Sequence, residues 1–114
     1  MPNFVALVVE DDALQRVFLT DLLKGRGLEV VECSTAEAAE LVLATAGPEL
    51  KVVVTDVHLA GEMTGVQLAE FATQTYPRLK VIVLSGRETA RLPLGTRFLR
   101  KPCRPDELLE AVFN

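Results

Sequence analysis

The sequence is poor in the residues that build metal, disulfide and nucleic-acid sites. It contains one His and two Cys, and the two cysteines, Cys33 and Cys103, lack CxxC spacing. These counts argue against a His-built metal centre and against a disulfide-stapled fold. Acidic residues outnumber basic ones, 16 Asp and Glu against 12 Lys and Arg, so the chain lacks the positive charge that binds a nucleic-acid backbone. We therefore expect no direct contact with DNA or RNA.

Long hydrophobic runs are absent as well. No apolar stretch approaches the ~18 residues that a membrane span needs, and the first residues lack the basic start of a signal peptide. Hydrophobic residues still make up 49% of the chain and charged residues 25%, the ordinary balance of a globular protein. A chain of 114 residues is the usual size of one domain. We expect a single cytoplasmic domain over residues 1–114, without membrane contact.

Short apolar clusters alternate with helical patterns along the chain. The clusters, which are typical of buried strands, cover residues 4–9, 28–31, 52–54, 81–84 and 98–99. Helical spacing and helix-capping residues predict helices over about 14–23, 35–46, 64–75 and 105–113. Parallel neighbours need crossover connections, so this order predicts an α/β fold, a doubly wound parallel sheet with helices on both faces. In such sheets ligands bind beyond the carboxyl ends of the strands.

Residues that can carry chemistry follow the predicted strands at that edge. They are Glu10, Asp11 and Asp12 after the first strand, Asp56 after the third, Ser85 and Gly86 after the fourth, and Lys101 and Pro102 after the fifth. Clustered carboxylates repel unless a cation lies between them, and hard oxygen ligands suit Mg²⁺. The set matches phosphoryl transfer to a carboxylate, with Asp56 as nucleophile, Lys101 as a fixed cation and Ser85 as a hydrogen-bond donor. Taken separately, the first three acids could merely cap the first helix, and Asp56 could be a solvated turn residue.

These motifs resemble the receiver domain of two-component response regulators, and the resemblance spans about residues 4–113. It implies a five-stranded sheet in the order 2-1-3-4-5, the flavodoxin-like receiver arrangement. It also implies that Asp56 is the phosphoacceptor and that Mg²⁺ is the cofactor. By the same resemblance Asp11 would bind the metal directly, Glu10 would act through water, and the backbone carbonyl of His58 would be a further metal ligand.

The resemblance assigns roles to the later strand ends too. Ser85 matches the switch hydroxyl, and Gly86 matches the small residue that leaves room for the phosphodonor. Lys101 matches the family's lysine, and Pro102 matches the proline after it, which the family holds in the cis form. Phe98 matches the aromatic switch position.

The chain departs from the usual receiver pattern in four places. The loop after Asp56 is one residue longer than usual and has no proline, although Gly61 and Gly65 supply the permissive backbone of a tight turn. Only eleven residues separate Ser85 from Arg97, so we expect the fourth helix, between the fourth and fifth strands, to be short or missing. The switch hydroxyl is Ser where Thr is commoner, which retains the donor. The sequence ends directly after the last helix, which favours a single-domain regulator.

The leading hypothesis is a phosphoacceptor signalling switch of a two-component phosphorelay. A sensor histidine kinase or a histidine phosphotransfer protein would phosphorylate Asp56 in a Mg²⁺-dependent reaction, and a downstream protein target would read the change. The chain would not be an enzyme beyond phosphorylating and dephosphorylating itself. A Mg²⁺-dependent phosphohydrolase is one alternative, but it needs a second acid where His58 stands. A phosphate sink or constitutive interaction module is another, and the chain is expected to be a monomer or a weak homodimer.

Overall fold

Five strands and four helices alternate through the part of the chain that the computed structural model describes, residues 5–86 and 91–114. The strands are β1 (Val5–Val9), β2 (Glu29–Cys33), β3 (Leu50–Asp56), β4 (Lys80–Ser85) and β5 (Thr96–Arg100). The helices are α1 (Ala13–Lys24), α2 (Ala36–Ala46), α3 (Gly65–Thr75) and α4 (Pro105–Phe113). A single 3₁₀ turn, Gly47–Glu49, follows α2. Phe4, the predicted start of the first strand, lies outside the described residues.

The strands form one parallel sheet in the order β2-β1-β3-β4-β5. This confirms the doubly wound α/β fold and the strand order that the family resemblance implied. The register aligns the carboxyl ends of the strands: Val9 pairs with both Cys33 and Thr55, and Asp56 pairs with Leu84. Residues that follow the strands therefore emerge along one edge of the sheet.

The sheet separates two apolar cores because successive side chains of a strand point to opposite faces. In β1, Leu7 and Val9 join the cluster that packs beneath α2 and α3, whereas Ala6 and Val8 join the cluster beneath α1 and α4. All four side chains are fully buried. Burial on both faces requires apolar residues at consecutive positions, which explains why the predicted strands were short unbroken clusters.

Side-chain caps begin the helices at the positions that the sequence indicates. The Thr35 hydroxyl accepts a hydrogen bond from the backbone N–H of Ala38 at 3.1 Å, at the start of α2. At the start of α3, the Thr64 hydroxyl accepts from the Gln67 N–H at 3.2 Å, and the Gln67 side chain accepts from the Thr64 N–H at 2.8 Å. Each cap satisfies backbone donors that have no partner within the helix. The predicted bounds of these two helices agree with the structure to within one residue.

The strands extend beyond the apolar clusters that predicted them. β3 begins two residues before the predicted 52–54 segment and runs on to Asp56, while β2 covers Glu29–Cys33 rather than 28–31. Backbone hydrogen bonds hold a strand regardless of its side chains, so polar residues at a strand end or on the edge strand β2 join the sheet without adding to the apolar pattern.

The connection from β4 to β5 contains no helix in its described residues, Gly86 and 91–95. The rest of the expected short or missing fourth helix, residues 87–90, lies outside the described residues. The four helices named above are those after β1, β2, β3 and β5, and the last of them has nine residues. Within the described ranges, no helix is long and apolar enough to cross a membrane.

Candidate functional site

Three carboxylates meet at the carboxyl edge of the sheet. Glu10 and Asp11 follow β1, and Asp56 is the last residue of the neighbouring strand β3. Carboxylate oxygens from the three residues lie within 4.8 Å of one another. The structure thus brings together the acids that the strand ends of the sequence singled out. We call this group the carboxylate cluster.

Asp12 has a different role from the two acids before it. Its Oδ1 accepts a hydrogen bond from the backbone N–H of Gln15 at 3.0 Å, which makes Asp12 the N-cap of α1. An N-cap carboxylate satisfies a free backbone donor and lies favourably in the positive field of the helix start. The capping alternative for the acidic run therefore holds for Asp12, while Glu10 and Asp11 join the carboxylate cluster.

Glu10 is a buried carboxylate, with 1% of its surface exposed. Its Oε1 accepts a hydrogen bond from Lys101 Nζ at 2.8 Å, and its Oε2 accepts one from the backbone N–H of Asp12 at 3.1 Å. Burial raises the pKa of Glu10, and the bond from Lys101 opposes that rise in part. A buried charge is tolerated only with such partners, so Glu10 depends on Lys101.

Lys101 Nζ reaches three oxygen atoms at once. It donates to Glu10 Oε1 at 2.8 Å and to Gln15 Oε1 at 2.7 Å, and it lies 3.4 Å from Asp56 Oδ1. Burial lowers the pKa of Lys101, but the hydrogen bond to Glu10 and the charges of Asp56 and Glu10 outweigh it, so the pKa is raised overall. The ammonium therefore places a positive charge beside the candidate phosphoacceptor at neutral pH.

The backbone also holds Lys101 in place. Its N–H donates to the carbonyl of Ser85 at 2.9 Å, which ties the end of β5 to the end of β4. The Lys101–Pro102 peptide bond is cis, as the family resemblance implied. The side chain thus starts from an anchored position and extends across the ends of β4 and β3 to β1.

Asp56 is held close to the start of α3. Its Oδ1 accepts a hydrogen bond from the backbone N–H of Val57 at 2.9 Å, and its side chain is 12% exposed. The Gly65 N–H donates to the carbonyl of Val57 at 2.9 Å, and a Cβ on Gly65 would lie 1.9 Å from the Asp56 carbonyl oxygen. The expected permissive backbone is present at Gly61, with a φ of 93°, but Gly65 has no positive φ. Gly65 is instead required by the close approach of two backbones.

The other predicted site residues lie at the same edge or beside it. Ser85 ends β4 and is 1% exposed, and Gly86 follows it at the surface. Phe98 is half-buried in the edge strand β5, and His58 is exposed two residues after Asp56. Their roles as switch hydroxyl, small residue, aromatic switch and backbone metal ligand remain predictions.

The carboxylate cluster fits a hard divalent cation. Its donors are all carboxylate oxygens, and they bring three negative charges to a site where Lys101 supplies one positive charge. Oxygen ligands with an excess of negative charge suit Mg²⁺ better than a softer metal. Glu10, Asp11 and Asp56 are the residues that would hold it.

Two contacts at the site were missed by the sequence analysis. Gln15 accepts a hydrogen bond from Lys101, and the Glu37 carboxylate accepts bonds from the loop that follows β3. Neither residue lies at a strand end, the position that indicates a site residue in a parallel sheet. The capped start of α1 placed Gln15 near Asp12, but Lys101, the hydrogen-bond donor to the Gln15 side chain, lies 86 residues away in the sequence.

Comparison with known proteins places the chain in one family. The model of the response regulator receiver domain matches residues 6–113. Nodulation protein W of Bradyrhizobium diazoefficiens is 32% identical over 116 residues, which cover 95% of this chain and 49% of that protein. Response regulator protein FleR of Pseudomonas aeruginosa is 39% identical over 112 residues, which cover 93% of this chain and 23% of that protein. The chain thus spans less than half the length of either curated relative.

A solved structure agrees with the sequence comparisons. The signal receiver domain of an HD domain-containing protein from Pseudomonas fluorescens Pf-5 superposes with a TM-score of 0.85 at 27% identity. The superposition covers 96% of this chain and 91% of that chain. The similarity therefore extends over the whole sheet and its helices.

Proposed function

The chain belongs to the response regulator receiver domain family, and from that membership we propose that it is a phosphoacceptor switch of a two-component phosphorelay. A sensor histidine kinase or a histidine phosphotransfer protein donates a phosphoryl group to Asp56 in the cytoplasm. A downstream protein then binds the phosphorylated and unphosphorylated forms with different affinity. The chain acts on no external substrate.

The observation that carries the proposal is the joint arrangement of the carboxylate cluster and Lys101. Three carboxylates within 4.8 Å of one another create a strong field for a cation, and Lys101 Nζ lies 3.4 Å from Asp56 Oδ1. Fixed positive charge beside a carboxylate nucleophile stabilises the oxygens of an incoming phosphoryl group. A helix cap or a solvated turn residue, the alternative roles for these acids, requires neither clustered carboxylates nor an adjacent lysine.

In the proposed reaction the phosphorus–nitrogen bond of a phosphohistidine breaks and a phosphorus–oxygen bond forms to the Asp56 carboxylate. The imidazole nitrogen leaves with the bonding electron pair and takes up a proton from solvent. Asp56 attacks as the carboxylate, so no general base is required. Mg²⁺ bound by Glu10, Asp11 and Asp56 would supply neutralisation of the negative charge on the phosphoryl oxygens.

The same contacts suggest how the signal spreads. Phosphorylation replaces the single negative charge of the Asp56 carboxylate with the roughly two negative charges of a phosphoryl group. Lys101 Nζ, which donates to Glu10 and Gln15 in this structure, would turn toward the phosphoryl oxygens. The hydroxyl of Ser85 and the ring of Phe98 would then shift the surface that a partner reads.

Intact mass spectrometry tests the proposal directly. The native chain is incubated with a small-molecule phosphodonor with and without Mg²⁺, beside the variants Asp56→Asn and Asp12→Asn. We expect one added phosphoryl group in the native chain, dependent on Mg²⁺ and absent in Asp56→Asn. Asp12→Asn is the matched control, because Asn also caps a helix and the carboxylate cluster remains intact.

Two results would contradict the proposal. An adduct that persists in Asp56→Asn would place the acceptor elsewhere. A native chain that neither binds Mg²⁺ nor gains a phosphoryl group, even from a phosphorylated histidine phosphotransfer protein, would favour the constitutive interaction module.

A further inference from the structure

The loop that follows Asp56 is tied to the first turn of α2 through Glu37. The Glu37 Oε2 accepts hydrogen bonds from the backbone N–H groups of Glu62 at 3.0 Å and Met63 at 3.1 Å. Hydrogen bonds from its own backbone N–H and from those two residues lower the pKa of Glu37. The side chain is therefore charged at neutral pH, and both bonds to the loop are of the stronger, charge-assisted kind.

Two more contacts hold the same loop against α2. Thr35, the N-cap of that helix, forms an isolated parallel bridge with Ala60. Gly61 has a φ of 93°, and a Cβ there would lie 2.9 Å from Glu37 Oε1. The left-handed φ and the close carboxylate both favour glycine at this position. Residues 60–63 are thus docked on one side chain and one capping residue, a contact we call the loop clamp.

The loop clamp lies close in the sequence to Asp56, the proposed phosphoacceptor. Only residues 57–59 separate Asp56 from Ala60, and they include His58, the candidate backbone ligand for Mg²⁺. At the other end, the bond from Gly65 N–H to the Val57 carbonyl closes the loop. A loop held at both ends leaves the intervening backbone few conformations.

We propose that Glu37 is a positioning residue, an inference that rests on the proposed function. Glu37 holds the loop so that the His58 carbonyl can join the carboxylate cluster in binding Mg²⁺. The connection from β3 to α3 spans residues 57–64, and a loop of this length has many conformations to lose on binding a metal. The loop clamp offsets that cost before the metal arrives. When a binding-competent conformation is only partly populated, the apparent Kd rises in inverse proportion to its population.

Calorimetric titration with Mg²⁺ tests the inference on the whole chain. The variants are Glu37→Ala, which removes both acceptor bonds, and Glu37→Gln, which keeps an acceptor oxygen without the charge. Glu40→Ala is the matched control, because it removes one negative charge from the same helix. We expect the Mg²⁺ Kd to rise about tenfold in Glu37→Ala, to rise by a smaller factor in Glu37→Gln and to stay native in Glu40→Ala.

Phosphorylation by a small-molecule donor supplies a second measurement. We expect Glu37→Ala to react slowly at low Mg²⁺ and to approach the native rate at saturating Mg²⁺, because the loop clamp acts on metal affinity and not on Asp56 itself. A purely structural role for Glu37 would lower the unfolding temperature and leave the Kd unchanged. A native Kd in Glu37→Ala, or an equal rise in Glu40→Ala, would overturn the inference.

The native chain separates this inference from the proposed function. If the native chain binds Mg²⁺ but takes no phosphoryl group, the proposed function fails while the comparison of Kd values still decides the role of Glu37. If the native chain binds no Mg²⁺, the inference is overturned together with the metal site.

Discussion

Replacing Gly65 by Ala puts the close packing of α3 against the phosphoacceptor strand to a quantitative test. A Cβ at position 65 would lie 1.9 Å from the Asp56 carbonyl oxygen, 2.8 Å from its carbonyl carbon and 3.0 Å from the Val57 Cα. Cβ contacts under 3.0 Å essentially do not occur, so the two backbones must separate by about 1 Å. Neither is a flexible side chain that can move aside.

The magnitude follows from that overlap. Overpacking of a well-packed site usually costs about 1–3 kcal/mol, and a backbone-to-backbone clash belongs at the upper end. We therefore expect Gly65→Ala to lower the free energy of unfolding by about 3 kcal/mol, equivalent to a drop of about 10 °C in the unfolding temperature for a domain of this size. Helix propensity predicts the opposite sign, a gain of up to about 1 kcal/mol for Ala over Gly inside a helix.

Chemical denaturation followed by circular dichroism measures the effect, since the chain has no Trp for fluorescence. Gly86→Ala serves as the control for stability, because its φ is not positive and, chain neighbours apart, a Cβ on Gly86 meets none of the described residues within 4 Å. We expect that control to unfold within about 0.5 kcal/mol of the native chain. A Gly65→Ala chain as stable as the native one would refute the packing argument and leave helix propensity as the better guide.

Three other measurements follow from the contacts of the site and the core. Asp12→Ala removes the cap of α1 and is expected to cost about 1 kcal/mol of unfolding free energy without weakening Mg²⁺ binding. Asp11→Ala is expected to weaken Mg²⁺ binding with little change in stability. Calorimetry and denaturation distinguish the two variants, and loss of Mg²⁺ affinity in Asp12→Ala would contradict the assignment of Asp12 to the helix cap and Asp11 to the carboxylate cluster. Tyr76→Phe removes a 2.7 Å hydrogen bond to a carbonyl of α2 and is expected to lower the free energy of unfolding by about 1–2 kcal/mol. A variant that unfolds at the same denaturant concentration as the native chain would contradict this prediction. Because the pKa of Lys101 is raised above 10.5, its ion pairs contribute fully to stability below that pH and are lost as the pH rises through the folded-state pKa. The difference in unfolding free energy between the native chain and Lys101→Met is therefore expected to shrink in denaturation series above pH 10.5. A difference that does not change with pH would refute this prediction.

Much of the fold could be predicted because it depends on neighbours in the sequence. Consecutive apolar residues marked the buried strands, and the capping hydroxyl of Thr35 marked the start of α2. The connection between β4 and β5 was predicted from its length and breakers, and its described residues contain no helix. The bounds of β2 and β3 were less accurate, since backbone pairing continues past the apolar side chains that signal it.

The candidate site, too, could be predicted in part from the sequence. A parallel sheet brings the residues after its strands to one edge, so the sequence was enough to bring Glu10, Asp56 and Lys101 together. Strand ends alone could not separate Asp11 from Asp12, because adjacent acids of the same type differ only in where the turn into α1 directs them. Only the family resemblance set Asp11 apart as the predicted metal ligand.

The composition of the site and the order of strands and helices were determined by the sequence itself, through patterns that span a few residues. The tertiary structure decided which side chains meet across the fold. The bonds from Lys101 to Glu10 and Gln15 join residues 91 and 86 positions apart, and the bond from Glu62 to Glu37 joins residues 25 apart. Such contacts depend on the path of each crossover and on the register of the sheet, which no local pattern encodes.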